Sequence, residues 1–107
     1  MAEQISRYRH VVLFQFKDDT PKNTVHAIEA AFRVLCTELP FVQDFEWGVN
    51  SSPEGLADGF THCFLVTFAS AQDRDKYLPH PAHVAFVKDY LDAHLEKACV
   101  IDYLPVP

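Results

Sequence analysis

The chain has 107 residues, 49% of them hydrophobic and 22% charged, and a net charge of −6. That size and composition predict one domain, residues 1–107, whose core needs neither disulfide nor metal, and they exclude a disordered chain. The nine Lys and Arg form no cluster and no apolar run reaches bilayer length, so neither nucleic acid nor a membrane is an expected partner.

Residues 1–9 are polar and lack the apolar core of a signal peptide, which predicts a cytoplasmic protein. Arg9 to Lys17 is a short run rich in Val and Phe and reads as the first strand. His10, Val12, Phe14 and Phe16 share one of its faces, and Val11, Leu13 and Gln15 share the other. Thr20-Pro21 then signals a helix start, with Thr20 as the cap and Asp18 and Asp19 at the positive dipole end. Val25, Ile28, Ala31, Phe32 and Leu35 recur at helical spacing as one buried stripe, and Pro40 closes the helix.

Phe41 to Asn50 alternates, with Phe45, Trp47 and Val49 opposite Asp44, Glu46 and Gly48, as a second strand should. Ser51 to Gly59 is a polar loop. Thr61 to Ala69 reads as the third strand, with His62, Phe64, Val66 and Phe68 on one face. Ser70 with Asp73 opens a short helix that Pro79 stops. A further helix is predicted from Pro81 to Lys97, with Val84, Val87, Leu91 and Leu95 on its stripe, and a fourth strand from Cys99 to Leu104. Cys36, Cys63 and Cys99 are odd in number, far apart and set among apolar neighbours. They read as buried free thiols.

The order β-α-β-β-α-β predicts an α+β, ferredoxin-like domain with a four-stranded antiparallel sheet. Helices would cover one sheet face only, yet every strand is read as carrying large apolar residues on both parities. A bare patch of several hundred Å², at about 25 cal/mol per Å², is a strong drive to association. Two sheets packed face to face in a homodimer, forming an α/β barrel, would hide it.

The densest chemistry lies in Tyr77-Leu78-Pro79-His80-Pro81-Ala82-His83-Val84-Ala85-Phe86. Tyrosine and histidine suit the polarising of a carbonyl and the movement of a proton near neutral pH, and the two prolines stiffen the segment. A helix break with a histidine cap is the plainer reading. His10 and His62 sit at the starts of two strands on the parity of Phe14, Phe16, Phe64 and Phe68. They suggest a polar rim on an apolar cavity, or two histidines satisfied by one another or by backbone. Asp102 would either orient a histidine or pair with a structural arginine. His80 reads as a helix cap or a solvent-facing side chain, and His26 and His94 as surface or packing residues. The histidine spacing fits no zinc motif, and no phosphate loop, nucleophile elbow or cofactor fingerprint occurs, so neither metal nor cofactor is expected.

Taken in order, His10-Val11-Val12-Leu13-Phe14, Phe16-Lys17-Asp18, Trp47-Gly48, Glu54-Gly55-Leu56, Gly59-Phe60-Thr61-His62, Val66-Thr67-Phe68, Tyr77, His80-Pro81-Ala82-His83-Val84 and Ile101-Asp102-Tyr103 resemble the stress-responsive α/β-barrel (Dabb) family. The resemblance covers nearly the whole chain and implies a dimeric barrel of two four-stranded sheets. The family includes a plant polyketide cyclase that closes a linear polyketide thioester by an intramolecular aldol condensation. By position, the resemblance implies Tyr77 and His83 as its acid–base pair, with His10, Phe32, His62, Phe64 and Asp102 about the pocket. Phe32 stands where the cyclase carries a tyrosine.

Two functions follow as expectations. One is a dimeric barrel with a pocket for a small apolar or carbonyl-bearing ligand, running cyclase- or aldol-type proton transfer through His83 and Tyr77. The other is a non-enzymatic, stress-associated barrel acting through assembly or protection of partners. A cofactor-free oxygenase is a weaker, fold-level analogy. The enzymatic reading predicts one continuous cavity reaching Tyr77, His83 and His62.

Overall fold

In the computed structural model, which describes residues 7–107, β1 (Tyr8–Phe16) leads through α1 (Lys22–Glu38) to β2 (Val42–Val49) and β3 (His62–Phe68). Then follow α2 (Ala71–Tyr77), α3 (Pro81–Phe86), a π-helical turn (Val87–Leu91) and β4 (Leu95–Tyr103). The polar stretch read for a leader lies, through residue 6, outside the described residues. The sheet order is β2-β3-β1-β4 with every neighbouring pair antiparallel, which is the ferredoxin-like arrangement the element order predicts.

One sheet face takes the helices. His10, Val12 and Phe14 of β1, His62, Phe64, Val66 and Phe68 of β3, and Ile28, Phe32, Leu35 and Cys36 of α1 are buried there. Phe32 stacks on Phe64 at 4.5 Å between ring centroids and also meets Phe14, Phe45 and Phe86. The expected stripe of α1 is therefore the layer that closes the core. No helix among the described residues is long and apolar enough to cross a membrane.

Five expectations change. Thr20 does not cap α1: Pro21 takes the cap position without a side-chain bond, and the buried Thr20 hydroxyl has no partner. The helix foreseen to Lys97 stops far earlier. Its last turn widens at Val87–Leu91, where the Asp92 N–H donates to the Val87 carbonyl five residues back, and Leu95 already belongs to β4. That wide turn brings Leu91 to the same inward side as Phe86, five residues before it, while Val84 is 51% exposed. β2 is polar on its open side, since Asp44, Glu46 and Gly48 face away from the helices, so not every strand is apolar on both parities. Of the three thiols only Cys36 is buried. Cys63 is exposed and Cys99 half-buried, because both lie on the open sheet face beside Leu13.

Candidate functional site

The antiparallel register of β1 and β3 decides which polar residues meet. His10 stands opposite Val66, whereas His62 stands opposite Phe14, four residues further along β1. Two histidines at the starts of antiparallel strands lie at opposite ends of the sheet, so they form two clusters and no common rim.

At the first end, β4 pairs with β1 so that Asp102 lies across from His10. The His10 Nδ1 is 2.6 Å from Asp102 Oδ1, and Arg74 of α2 donates through Nη1 to Asp102 Oδ2 at 2.6 Å. Asp102 thus contacts a histidine and an arginine at once. The same Arg74 Nη1 also donates to the Tyr8 hydroxyl at 3.0 Å, and the guanidinium lies 5.2 Å over the Tyr8 ring. Its hydrogen bond with Asp102 is the main cause that raises the Arg74 pKa above an ordinary arginine.

Tyr77 and His83 join this end. Ser70 caps α2 by accepting from the Asp73 N–H at 3.2 Å, and His80 caps α3 by accepting at Nδ1 from the Ala82 N–H at 3.1 Å, with Pro81 opening that helix. The two short helices thus turn Tyr77 and His83 toward each other, with 4.5 Å between ring centroids, while His10 meets Tyr77 edge-on at 5.7 Å. The His83 Nδ1–H donates to the Leu78 carbonyl at 2.9 Å, which leaves Nε2 as the ring's acceptor. Burial lowers the His83 pKa, the Leu78 bond opposes that, and the nearness of His10 lowers it further. Burial raises the Tyr77 pKa, helped by the Cys36 thiol against its hydroxyl, and burial pushes Cys36 up to about 12. The group holds a neutral base beside a hydroxyl that keeps its proton.

At the other end His62 is clasped rather than free. Its Nε2 lies 2.7 Å from Glu29 Oε2 of α1, and its Nδ1 lies 2.7 Å from the Thr61 hydroxyl. Trp47 stacks on the ring at an interplanar angle of 12° and Phe16 meets it edge-on. Glu29 also takes the exposed His26 at 3.0 Å. Burial works against the Glu29 charge, but hydrogen bonds from His26 and His62 prevail and hold its pKa below the usual carboxylate value. Thr61 and His62 border an open concavity of about 650 Å³ beneath the 50–61 loop, walled by Trp47, Leu56 and Phe60. In that loop Gly59 has φ +83°, and a Cβ there would strike the Gln15 side chain at 2.7 Å.

Tyr77, His83, His10 and Asp102 therefore come together, with Arg74, Tyr8 and Cys36 as neighbours that sequence reasoning missed. His62 stands apart with Glu29, and Phe32 and Phe64 fill the space between the clusters. Neither the loop concavity nor the groove between α1 and α3 is lined by Tyr77 or His83.

The domain family described as "Stress responsive A/B Barrel Domain" matches residues 8–105. HS1 of Arabidopsis thaliana, a stress-response A/B barrel domain-containing protein, is 35% identical over 105 residues, 98% of this chain and 95% of its own. The olivetolic acid cyclase of Cannabis sativa is 30% identical over 97 residues, 91% of this chain and 95% of the cyclase. Hydroxynitrile lyase from Passiflora edulis superposes with a TM-score of 0.87 at 28% identity, covering 96% of each chain. A dimeric protein of ferredoxin-like fold from Bacteroides fragilis superposes with a TM-score of 0.72 at 24% identity, over 92% of this chain and 96% of its own, and bears on the fold alone.

Proposed function

Since the chain belongs to the stress-responsive A/B barrel (Dabb) family, we propose that it acts as a single-domain, cytoplasmic, homodimeric barrel that binds a small apolar or carbonyl-bearing molecule and performs cofactor-free proton transfer of the cyclase or aldol kind. The observation that carries this reading is the His83–Tyr77 pair. The His83 Nδ1–H is committed to a backbone carbonyl and its Nε2 is the ring's acceptor, 4.5 Å ring to ring from a tyrosine that stays protonated. Cyclising a polyketide and splitting a hydroxynitrile both need a base beside a carbonyl-derived centre, and relatives named for those activities share this chain's length or fold.

In the proposed step His83 Nε2 removes the proton α to a ligand carbonyl. The Tyr77 hydroxyl donates to the enolate oxygen in place of the Cys36 thiol, a weak partner that a ligand oxygen displaces. The enolate carbon attacks a second carbonyl of the same molecule, and the imidazolium returns its proton to the new alkoxide. A positioned base is worth about 10²–10⁴ in rate. With a linear poly-β-keto thioester as probe, His83→Ala should lose turnover by about that factor. Equal turnover of wild type and His83→Ala would count against the reading.

One observation favours the non-enzymatic alternative: Tyr77 is 1% exposed, so a ligand must open the space between α2 and the sheet to reach it. A protein that turns over no carbonyl probe yet suppresses the heat aggregation of a client enzyme would decide for that alternative.

A further inference from the structure

Arg74 takes no part in the proposed proton transfer, yet it touches what supports it. We infer that Arg74 is a positioning residue for the His10–Tyr77–His83 group: it pins the Asp102 carboxylate, and Asp102 in turn holds His10 as the Nδ1–H tautomer. The functional meaning of this role rests on the proposed chemistry; its test does not.

The geometry runs through three elements. A carboxylate facing a guanidinium accepts hydrogen bonds and donates none. With Oδ2 taken by Arg74 at 2.6 Å, Asp102 offers Oδ1 to His10 at 2.6 Å, so the proton there belongs to Nδ1 of the ring. Asp102 has only 18% of its side-chain surface exposed and His10 has 4%, which leaves little room for either to reorient while Arg74 stays in place. In the neutral ring Nε2 is then the acceptor of His10, as it is of His83. The two imidazole rings flank the Tyr77 ring, His10 at 5.7 Å and His83 at 4.5 Å between centroids.

Arg74 also sets where that hydroxyl stands. It precedes Tyr77 by three residues on α2, about one helical turn. Its bonds to Asp102 of β4 and Tyr8 of β1 fasten that turn to the sheet, while Nε donates to Asp75 at 3.0 Å on its own helix. Serving three partners from one planar fork is beyond a lysine, whose ammonium is a single point.

The test is NMR of the full-length protein with isotope-labelled histidine at neutral pH, reading which ring nitrogen of His10 carries the proton. It needs no substrate, so a chain inert toward carbonyl probes still reports on the relay. Wild type should show His10 in the Nδ1–H form alone. Arg74→Met should give a mixture of the two tautomers. Asp102→Asn should give mainly the Nε2–H form, because the amide can donate to Nδ1. Lys76→Met, on the same helix with an exposed pairing to Asp73, should leave His10 as in wild type. A single Nδ1–H form in Arg74→Met would overturn the inference. If that variant fails to fold, Arg74→Lys takes its place: partial loss of the Nδ1–H form is expected, and an unchanged His10 overturns the inference.

Discussion

His83 is the residue on which the proposed chemistry turns, and its environment fixes the sign of its pH response. Burial lowers its pKa below the ordinary 6.5, so the unfolded chain takes up this proton at a higher pH than the folded one does. The resulting stability is complete above about pH 6.5 and is lost as pH falls through the lowered native value. Urea unfolding followed from neutral to mildly acidic pH should therefore show a decline that His83→Asn makes shallower. A decline of identical steepness in the variant would place the titration elsewhere. Turnover should have its acid limb below the pH of an ordinary histidine for the same reason. Tyr77 adds no alkaline limb within the working range, since its proton is held too tightly. Tyr77→Phe should lower kcat about 10- to 150-fold, which matches about 1.5–3 kcal/mol for a lost hydrogen bond to a charged oxygen in the transition state. An unchanged kcat would remove Tyr77 from the reaction. The His80 cap and the Pro81 helix start were legible in sequence, because both depend on local backbone rules. Arg74 was not: an arginine four residues past a predicted helix cap looks like any solvated charge until β4 brings Asp102 beneath it.

At the level of elements, α1 is fastened to the sheet by one polar clasp within an aromatic layer. Glu29 follows Ile28 on the margin of the buried stripe, and its carboxylate reaches His62 of β3 at 2.7 Å. Glu29→Leu would leave a largely buried imidazole N–H without its acceptor, at a cost of about 1–3 kcal/mol. Equilibrium denaturation at neutral pH measures this; a loss below about 0.5 kcal/mol would mean that His62 finds another acceptor. The native Glu29 pKa lies below the usual 4.5, so its contribution is present above that pH and disappears as pH falls through the lowered value. The variant and wild type should converge in stability in strong acid. Period-based reading recovered β1, β2, β3 and the α1 stripe because alternation and helical spacing are local signals. It failed between Pro81 and Leu95. There Val84, Val87, Leu91 and Leu95 continue a helical spacing, while the chain inserts a π turn and then enters β4, whose pairing with β1 is a long-range interaction. The same limit hid the separation of His10 from His62, which depends on strand direction and register rather than on either strand alone.

For the whole molecule, the open sheet face is the feature with the largest consequence. Val11 and Leu13 of β1, Leu65 of β3, and Cys99, Ile101 and Tyr103 of β4 form an apolar field on the side away from the helices, with Ile101 55% and Tyr103 45% exposed. Leu13 belongs to it, flanked in register by Cys63 and Cys99. An isologous dimer that packs this face on its copy buries Leu13 of both protomers, so Leu13→Glu would introduce two carboxylates into a dry contact. Burying one unpaired charge costs about 3–5 kcal/mol, which corresponds to a loss of at least about a hundredfold in association. Sedimentation at micromolar concentration should show wild type as a dimer and Leu13→Glu as a monomer, while Val34→Glu on the exposed side of α1 stays dimeric. The wild-type melting temperature should also rise with protein concentration, because only the folded chain associates, and that rise should vanish in Leu13→Glu. A wild type that sediments as a monomer with a concentration-independent melting temperature would leave the apolar field exposed to water and end the barrel reading. A dimer that survives Leu13→Glu would move the interface to another surface, such as the groove between α1 and α3.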